Sequence, residues 1–227
     1  MAKKALSIRP AGAGSADARP GAGNLAGGRS GARRGGEGGP VDWPASLRRG
    51  RPRQPRELHR KPRSARPGEL WLVVVDASAS TRRQGALSQA KGLLAQLFEQ
   101  AYRQRARLAL LHANGTRPQW VWQGRKASRA ARKWLEGLGA GGGTPLIEAL
   151  GEAASWLARR QRLHPAERRW LLVVTDGRLR DWPPLAASAC PALLVDIECT
   201  PIRLGRACLL AEQLSAEYRH IEQLASL

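Results

Sequence analysis

Five oxygen-bearing side chains stand where apolar runs stop: Asp76, Ser78 and Ser80 after Leu70–Val75, Thr144 after the stretch Gly139–Gly143, and Asp176 after Trp170–Thr175. Ser78 and Ser80 alternate with alanines in Asp76-Ala77-Ser78-Ala79-Ser80, so both hydroxyls can turn to one side of a tight loop. Two carboxylates and three hydroxyls form an all-oxygen donor set. That chemistry suits a hard divalent cation, Mg²⁺ first and Mn²⁺ next, with water in the remaining positions. Two carboxylates only neutralise a dication and the hydroxyls add no charge. The metal would stay electrophilic, and a carboxylate from a partner protein could replace one of its waters.

The elements that must position these residues follow from hydrophobic patterning. Leu70–Val75, Trp170–Thr175 and Ala192–Ile197 are short apolar runs with β-branched residues, which predict strands buried on both faces, and Leu108–Ala113 is a further apolar strand. Between them, Leu87, Ala90, Leu94, Leu97, Phe98 and Ala101 recur at helical spacing and predict an amphipathic helix over about 83–104. A second helix is expected from Pro145 to about Arg160, with Leu146, Leu150, Ala153 and Leu157 on one face, Thr144 as its N-cap and Pro145 as its first residue. A short helix near 127–137, another from Leu204 to Leu214, and a terminal strand or coil at Glu217–His220 complete the set.

Gln119–Trp122 reads as an edge strand, antiparallel to the run before it and joined to it by the turn Asn114-Gly115-Thr116. Simple alternation would put Trp120 and Trp122 on one face of that strand. Strands alternating with helices predict an α/β fold: a doubly wound, mostly parallel sheet flanked by helices, with one antiparallel edge strand. With strand order 3-2-1-4-5-6, the first and fourth strands are neighbours where the order reverses, and Asp76 and Asp176 face one crevice there.

The first part of the chain differs in kind. Residues 1–69 hold about half of the glycines and 16 Lys/Arg against 5 Asp/Glu, so 1–68 reads as a disordered Gly/Arg/Pro-rich basic tail and linker and 69–227 as the folded domain. Within the tail, Arg48–Arg56 is expected to be extended. The formal charge of +20 attracts polyanions or acidic proteins without choosing between them. Cys190, Cys199 and Cys208 are odd in number with no paired spacing, and no stretch reads as a signal peptide or membrane span. A cytoplasmic protein with reduced thiols is the expectation.

These residues resemble a known family. Asp-x-Ser-x-Ser after the first strand, Thr144 after a glycine-rich loop, and Thr175-Asp176-Gly177 are similar to the metal-ion-dependent adhesion site of von Willebrand factor A domains. Gly141–Leu146, Val195-Asp196-Ile197-Glu198, Arg203–Ala207 and Leu210–Leu214 further resemble the C-terminal domain of the magnesium chelatase D subunit and its cobaltochelatase relatives. The resemblance implies a Mg²⁺-dependent interaction subunit, without catalytic residues of its own. It would work with a separate AAA+ ATPase and a large chelatase subunit that inserts metal into a tetrapyrrole of chlorophyll or cobalamin synthesis. The family's ATPase-like region has no counterpart among these motifs, because no Gly-x-x-x-x-Gly-Lys-Ser/Thr loop is present.

Other readings are weaker. The same domain could serve a MoxR-type AAA+ ATPase in enzyme maturation, and the basic tail could tether nucleic acid, although nucleic acid is not the expected partner. A phosphatase using Asp76 as nucleophile needs a general acid two residues on, where Ser78 stands. His59, His112, His164 and His220 lack zinc-like spacing and read as structural.

Overall fold

Eight residues, Glu69–Asp76, form the central strand β1, and from Leu70 onward every side chain in it is buried. Alternation sends Trp71, Val73 and Val75 to one core and Leu70, Leu72 and Val74 to the other. The computed structural model describes residues 41–48, 50–60, 68–77, 86–139, 141–179, 181–200 and 204–225.

The other strands are β2 (Arg107–Ala113), β3 (Gln119–Lys126), β4 (Arg168–Thr175), β5 (Ala192–Asp196) and β6 (Glu217–His220). They order as β3-β2-β1-β4-β5-β6, the expected order, with the chain reversing direction across the sheet between β1 and β4. All pairings are parallel except β2 with β3. In register, Trp71 lies beside Trp170, and their rings pack 4.8 Å apart, a large contact at the centre of one core.

Helices cover both faces. The amphipathic helix α2 (Ala86–Arg103) buries Ala90, Leu94, Leu97 and Ala101 against the Trp71 face, where α3 (Ala130–Glu136) and the terminal α6 (Ile221–Ala225) also pack. On the opposite face α4 (Leu146–Leu163) buries Leu146, Ala149, Leu150, Ala153, Trp156 and Leu157, and α5 (Arg206–Gln213) lies beside it. Helices on both faces are what a sheet of doubly buried strands requires.

Three expectations need correction. Trp120 and Trp122 do not share a face: Trp120 packs on Trp156 of α4, whereas Trp122 packs on Phe98 and Trp134 on the other side. The cause is a bulge, since pairing slips by one residue between Leu110↔Trp122 and Leu111↔Trp120, and one residue of slip turns a side chain to the other face. Second, the N-cap of α4 is Pro145 rather than Thr144, and no side chain caps that end. Thr144 is thereby left at the sheet edge.

Third, the tail expected to be disordered, with Arg48–Arg56 extended, holds local structure within residues 41–60. Asp42 caps a short helix α1 (Trp43–Leu47), accepting the Ala45 N–H at 3.2 Å, and Pro55–Glu57 makes a 3₁₀ turn. The two parts are tied by a Val41↔Arg60 bridge and by the buried Ser46 hydroxyl, which accepts the His59 N–H at 2.9 Å. Residues 1–40 and 61–67 of the sequence's basic tail lie outside the described residues. Among the described residues no helix is long and apolar enough to cross a membrane.

Candidate metal centre

β1 and β4 run side by side to the sheet's carboxyl edge, where Val75 pairs with Val174 and Asp76 comes level with Thr175. The Thr175 hydroxyl donates to Asp76 Oδ2 at 2.8 Å and accepts the Gly177 N–H at 3.0 Å. Asp76 is 1% exposed and Thr175 is fully buried, so this contact holds the carboxylate in a fixed orientation. Thr175 is therefore a positioning residue. Its sequence neighbourhood marked Asp176 and left the threonine as a strand residue.

Asp176, 4% exposed, follows directly, with Oδ1 accepting the Arg178 N–H at 3.1 Å. Gly177 makes this turn possible. Its φ of +63° is left-handed, and an added Cβ would meet the Ala207 nitrogen at 2.6 Å. The Asp-Gly turn is thus keyed against the start of α5.

Thr144 reaches the same edge through the glycine loop. The Gly141 N–H donates to the Ala77 carbonyl at 3.0 Å, and the Ala77 N–H donates to that of Ala113 at 3.4 Å, joining the loop to the ends of β1 and β2. Close approach accounts for the glycines. A Cβ on Gly143 would come within 2.7 Å of the Gly115 carbonyl oxygen, and Gly142 has φ +84° against the Gly115 backbone. Asp76 and Asp176 thus stand at the ends of adjacent strands, Thr144 follows the loop held to Ala77 and lines a cavity with Arg178, and Ser78 and Ser80 lie outside the described residues.

The donor chemistry of the described residues fits a hard cation, because carboxylate and hydroxyl oxygens are present and nitrogen and sulfur are not. Among the described residues no three His, Cys, Asp or Glu side chains cluster as a cage of such ligands would.

Behind Asp176 lies a polar network that sequence reasoning did not find. Glu198 is 2% exposed, and its carboxylate accepts from Arg178 Nε at 3.3 Å and from the Leu204 N–H at 2.9 Å. Arg178 Nη2 also donates to the Thr200 hydroxyl at 2.9 Å. Asp196, one strand end further, takes the Tyr218 hydroxyl at 2.7 Å and the Glu198 N–H at 2.8 Å. His220 Nδ1 accepts the Glu222 N–H at 3.3 Å, so its other nitrogen carries the proton and donates to the Glu198 carbonyl at 3.0 Å. The apolar run Ala192–Ile197 showed a strand, but only the three-dimensional arrangement joins its polar end to Arg178.

Residues 71–178 match the von Willebrand factor type A domain family. The chain is 30% identical over 181 residues to an uncharacterized protein of Mycobacterium tuberculosis, a match covering 75% of this chain and 29% of that protein. It is 34% identical over 126 residues to the magnesium-chelatase 67 kDa subunit of Chlorobaculum parvum, covering 55% of this chain and 20% of the relative. To the magnesium-chelatase 60 kDa subunit of Rhodobacter capsulatus it is 32% identical over 124 residues, covering 54% and 21%. The chain thus spans less than a third of the length of these curated relatives. In fold it is similar to the conserved hypothetical protein BatB of Bacteroides thetaiotaomicron, with a TM-score of 0.52, 16% identity, and 70% of this chain and 100% of that one covered.

Proposed function

Since the chain carries a von Willebrand factor type A domain, similar in sequence to magnesium-chelatase subunits, we propose that it is a Mg²⁺-dependent interaction subunit of an ATP-driven tetrapyrrole metal chelatase. One observation carries the reading: Asp76 is locked by Thr175 at the end of β1, beside Asp176 and next to the loop that bears Thr144. In this reading Asp76, Ser78, Ser80, Thr144 and Asp176 hold the cation. When bound, Mg²⁺ supplies an electrophilic centre for a carboxylate of the partner.

The chain's own residues then do the rest. Thr175 orients Asp76, the glycine loop carries Thr144 to the edge, and Gly177 anchors the Asp176 turn on α5. A rigid edge of this kind transmits the movement of a docked AAA+ ATPase to the chelating subunit without catalysing a reaction itself.

The test is affinity capture with the wild-type chain and Asp76→Ala, each in Mg²⁺ or in EDTA, with retained proteins identified by mass spectrometry. Recovery of an AAA+ ATPase and a large chelatase subunit, lost with EDTA or the substitution, supports the reading. An unrelated ATPase retained in the same metal-dependent way replaces the pathway. Capture that ignores both EDTA and Asp76→Ala overturns the metal bridge.

A further inference from the structure

Thr144 forms part of a second feature at the same edge. A cavity of about 350 Å³ opens beside it, lined by Thr144, Ile147, Arg178, Leu179, Asp181 and Trp182. Its composition is divided. Ile147, Leu179 and Trp182 give it an apolar wall, and Arg178 gives it a cation held in place from behind.

The restraint on Arg178 is considerable. Nε is bonded to Glu198, Nη2 to Thr200, and the backbone N–H to Asp176, while the side chain stays 24% exposed. Glu198 is itself fixed by the Leu204 N–H and, through its own N–H, by Asp196 Oδ1. The Arg178 bonds use Nε and Nη2, so among the described residues Nη1 is the guanidinium nitrogen left to meet a ligand in the cavity that Arg178 lines. The Leu179 carbonyl is in turn held by Arg206 Nη1, and the Trp182 indole N–H by Gln213 Oε1 at 3.1 Å, so the opposite wall is anchored to α5. A guanidinium oriented before any ligand arrives loses little freedom on binding. Asp181 also lines the cavity and is exposed to solvent, so its carboxylate opposes an anion there while Arg178 attracts it.

We propose that this cavity is an anion subsite in which Arg178 binds a second acidic side chain of the docking partner, one with an aliphatic stem as in glutamate. The apolar wall receives the methylenes and Arg178 the carboxylate, so the partner presents two acidic residues to this edge. The inference rests on the reading that the edge docks an acidic partner, but the Arg178 contact does not itself need the metal.

The experiment is an NMR titration of the full chain with glutarate, following Arg178 Nε–H and Trp182 Nε1–H, with the uncharged glutaramide as control. It is run in Mg²⁺ and in EDTA on the wild type, Asp76→Ala, Arg178→Lys and Arg178→Gln. Glutarate is expected to shift both resonances saturably, in EDTA and in Asp76→Ala as well, with no response to the diamide. Arg178→Gln is expected to weaken the Trp182 response roughly ten- to hundred-fold, the scale of one charge-assisted hydrogen bond, and Arg178→Lys by less, because it retains the charge.

A Trp182 response that is absent, equal with the diamide, or unchanged in Arg178→Gln overturns the subsite. Failure of the metal reading is separate. If Mg²⁺ fails to bind while glutarate still requires Arg178, the subsite stands and the metal bridge falls. A response that requires Mg²⁺ and Asp76 but ignores Arg178 gives the reverse result.

Discussion

Replacing Thr175 by valine keeps the shape of a fully buried side chain and removes only its hydroxyl. Two bonds go with it. Asp76 Oδ2 loses a donor at 2.8 Å, and a hydrogen bond to a charged group contributes about 1.5–3 kcal/mol. The Gly177 N–H loses its acceptor at 3.0 Å, and an unsatisfied buried donor costs about 1–3 kcal/mol. Local relaxation recovers part of the sum, so the expected loss is about 3 kcal/mol, a large fraction of the stability of an ordinary domain. Thr175→Ser retains both bonds and should lose only about 1 kcal/mol for the buried methyl group. Urea unfolding followed by tryptophan fluorescence measures both variants, and Mg²⁺ titration of the valine variant should show weakened binding because Asp76 loses the hydroxyl that orients it. Equal stability of the valine and serine variants, or a loss below about 0.5 kcal/mol for valine, would refute the argument that this hydroxyl holds the edge together.

Other expectations follow from the same geometry. Gly177→Ala combines a φ of +63° with a 2.6 Å approach to the Ala207 nitrogen, and should cost roughly 2–5 kcal/mol by denaturant unfolding. Glu167→Ala strands the largely buried Arg160 guanidinium, which Glu167 holds through bonds of 2.8 and 2.9 Å; a loss of about 3–5 kcal/mol is expected by thermal or urea unfolding. Burial lowers the pKa of His112, so the fold favours its neutral form. Its contribution to stability is complete above the ordinary value near pH 6.5 and is lost as pH falls through the lowered value; the stability difference between wild type and His112→Gln, measured from pH 7 down to 5, should shrink in that window. Burial raises the Cys190 thiol, outweighing the opposing effects of Ser188 and Arg169, so Cys190 should react with iodoacetamide at pH 7.5 more slowly than a fully accessible thiol, as mass spectrometry of labelled peptides would show.

The parts of this fold readable from the sequence were those written in local periodicity. Doubly buried strands announced themselves as unbroken apolar runs, and their carboxyl ends marked where Asp76 and Asp176 would sit. Thr175 was harder, because a threonine closing a strand has the same appearance whether it only pairs backbone or also grips a carboxylate 99 positions away. The Arg178–Glu198 contact was hidden for the same reason, being made across two strand ends rather than within one helix or turn. Trp120 and Trp122 went astray through a different cause: alternation assumes regular pairing, and nothing local in Gln119–Trp122 declares the bulge. At Arg48–Arg56 proline and charge suggested an extended linker, and nothing local declared that the Asp42 cap and the Ser46–His59 bond hold a short helix just before it.

The irregular pairing of β3 has a consequence for how other chains can approach. An edge strand ordinarily exposes a straight ladder of backbone donors and acceptors that invites an additional strand. Here the register slips twice within the β2–β3 pair, Gly124 adopts φ +72°, and Arg125 and Lys126 are exposed at the strand's far end. Such an edge is twisted and charged, and cannot template an extended segment along its length. Strand addition is therefore a poor route of association on this flank.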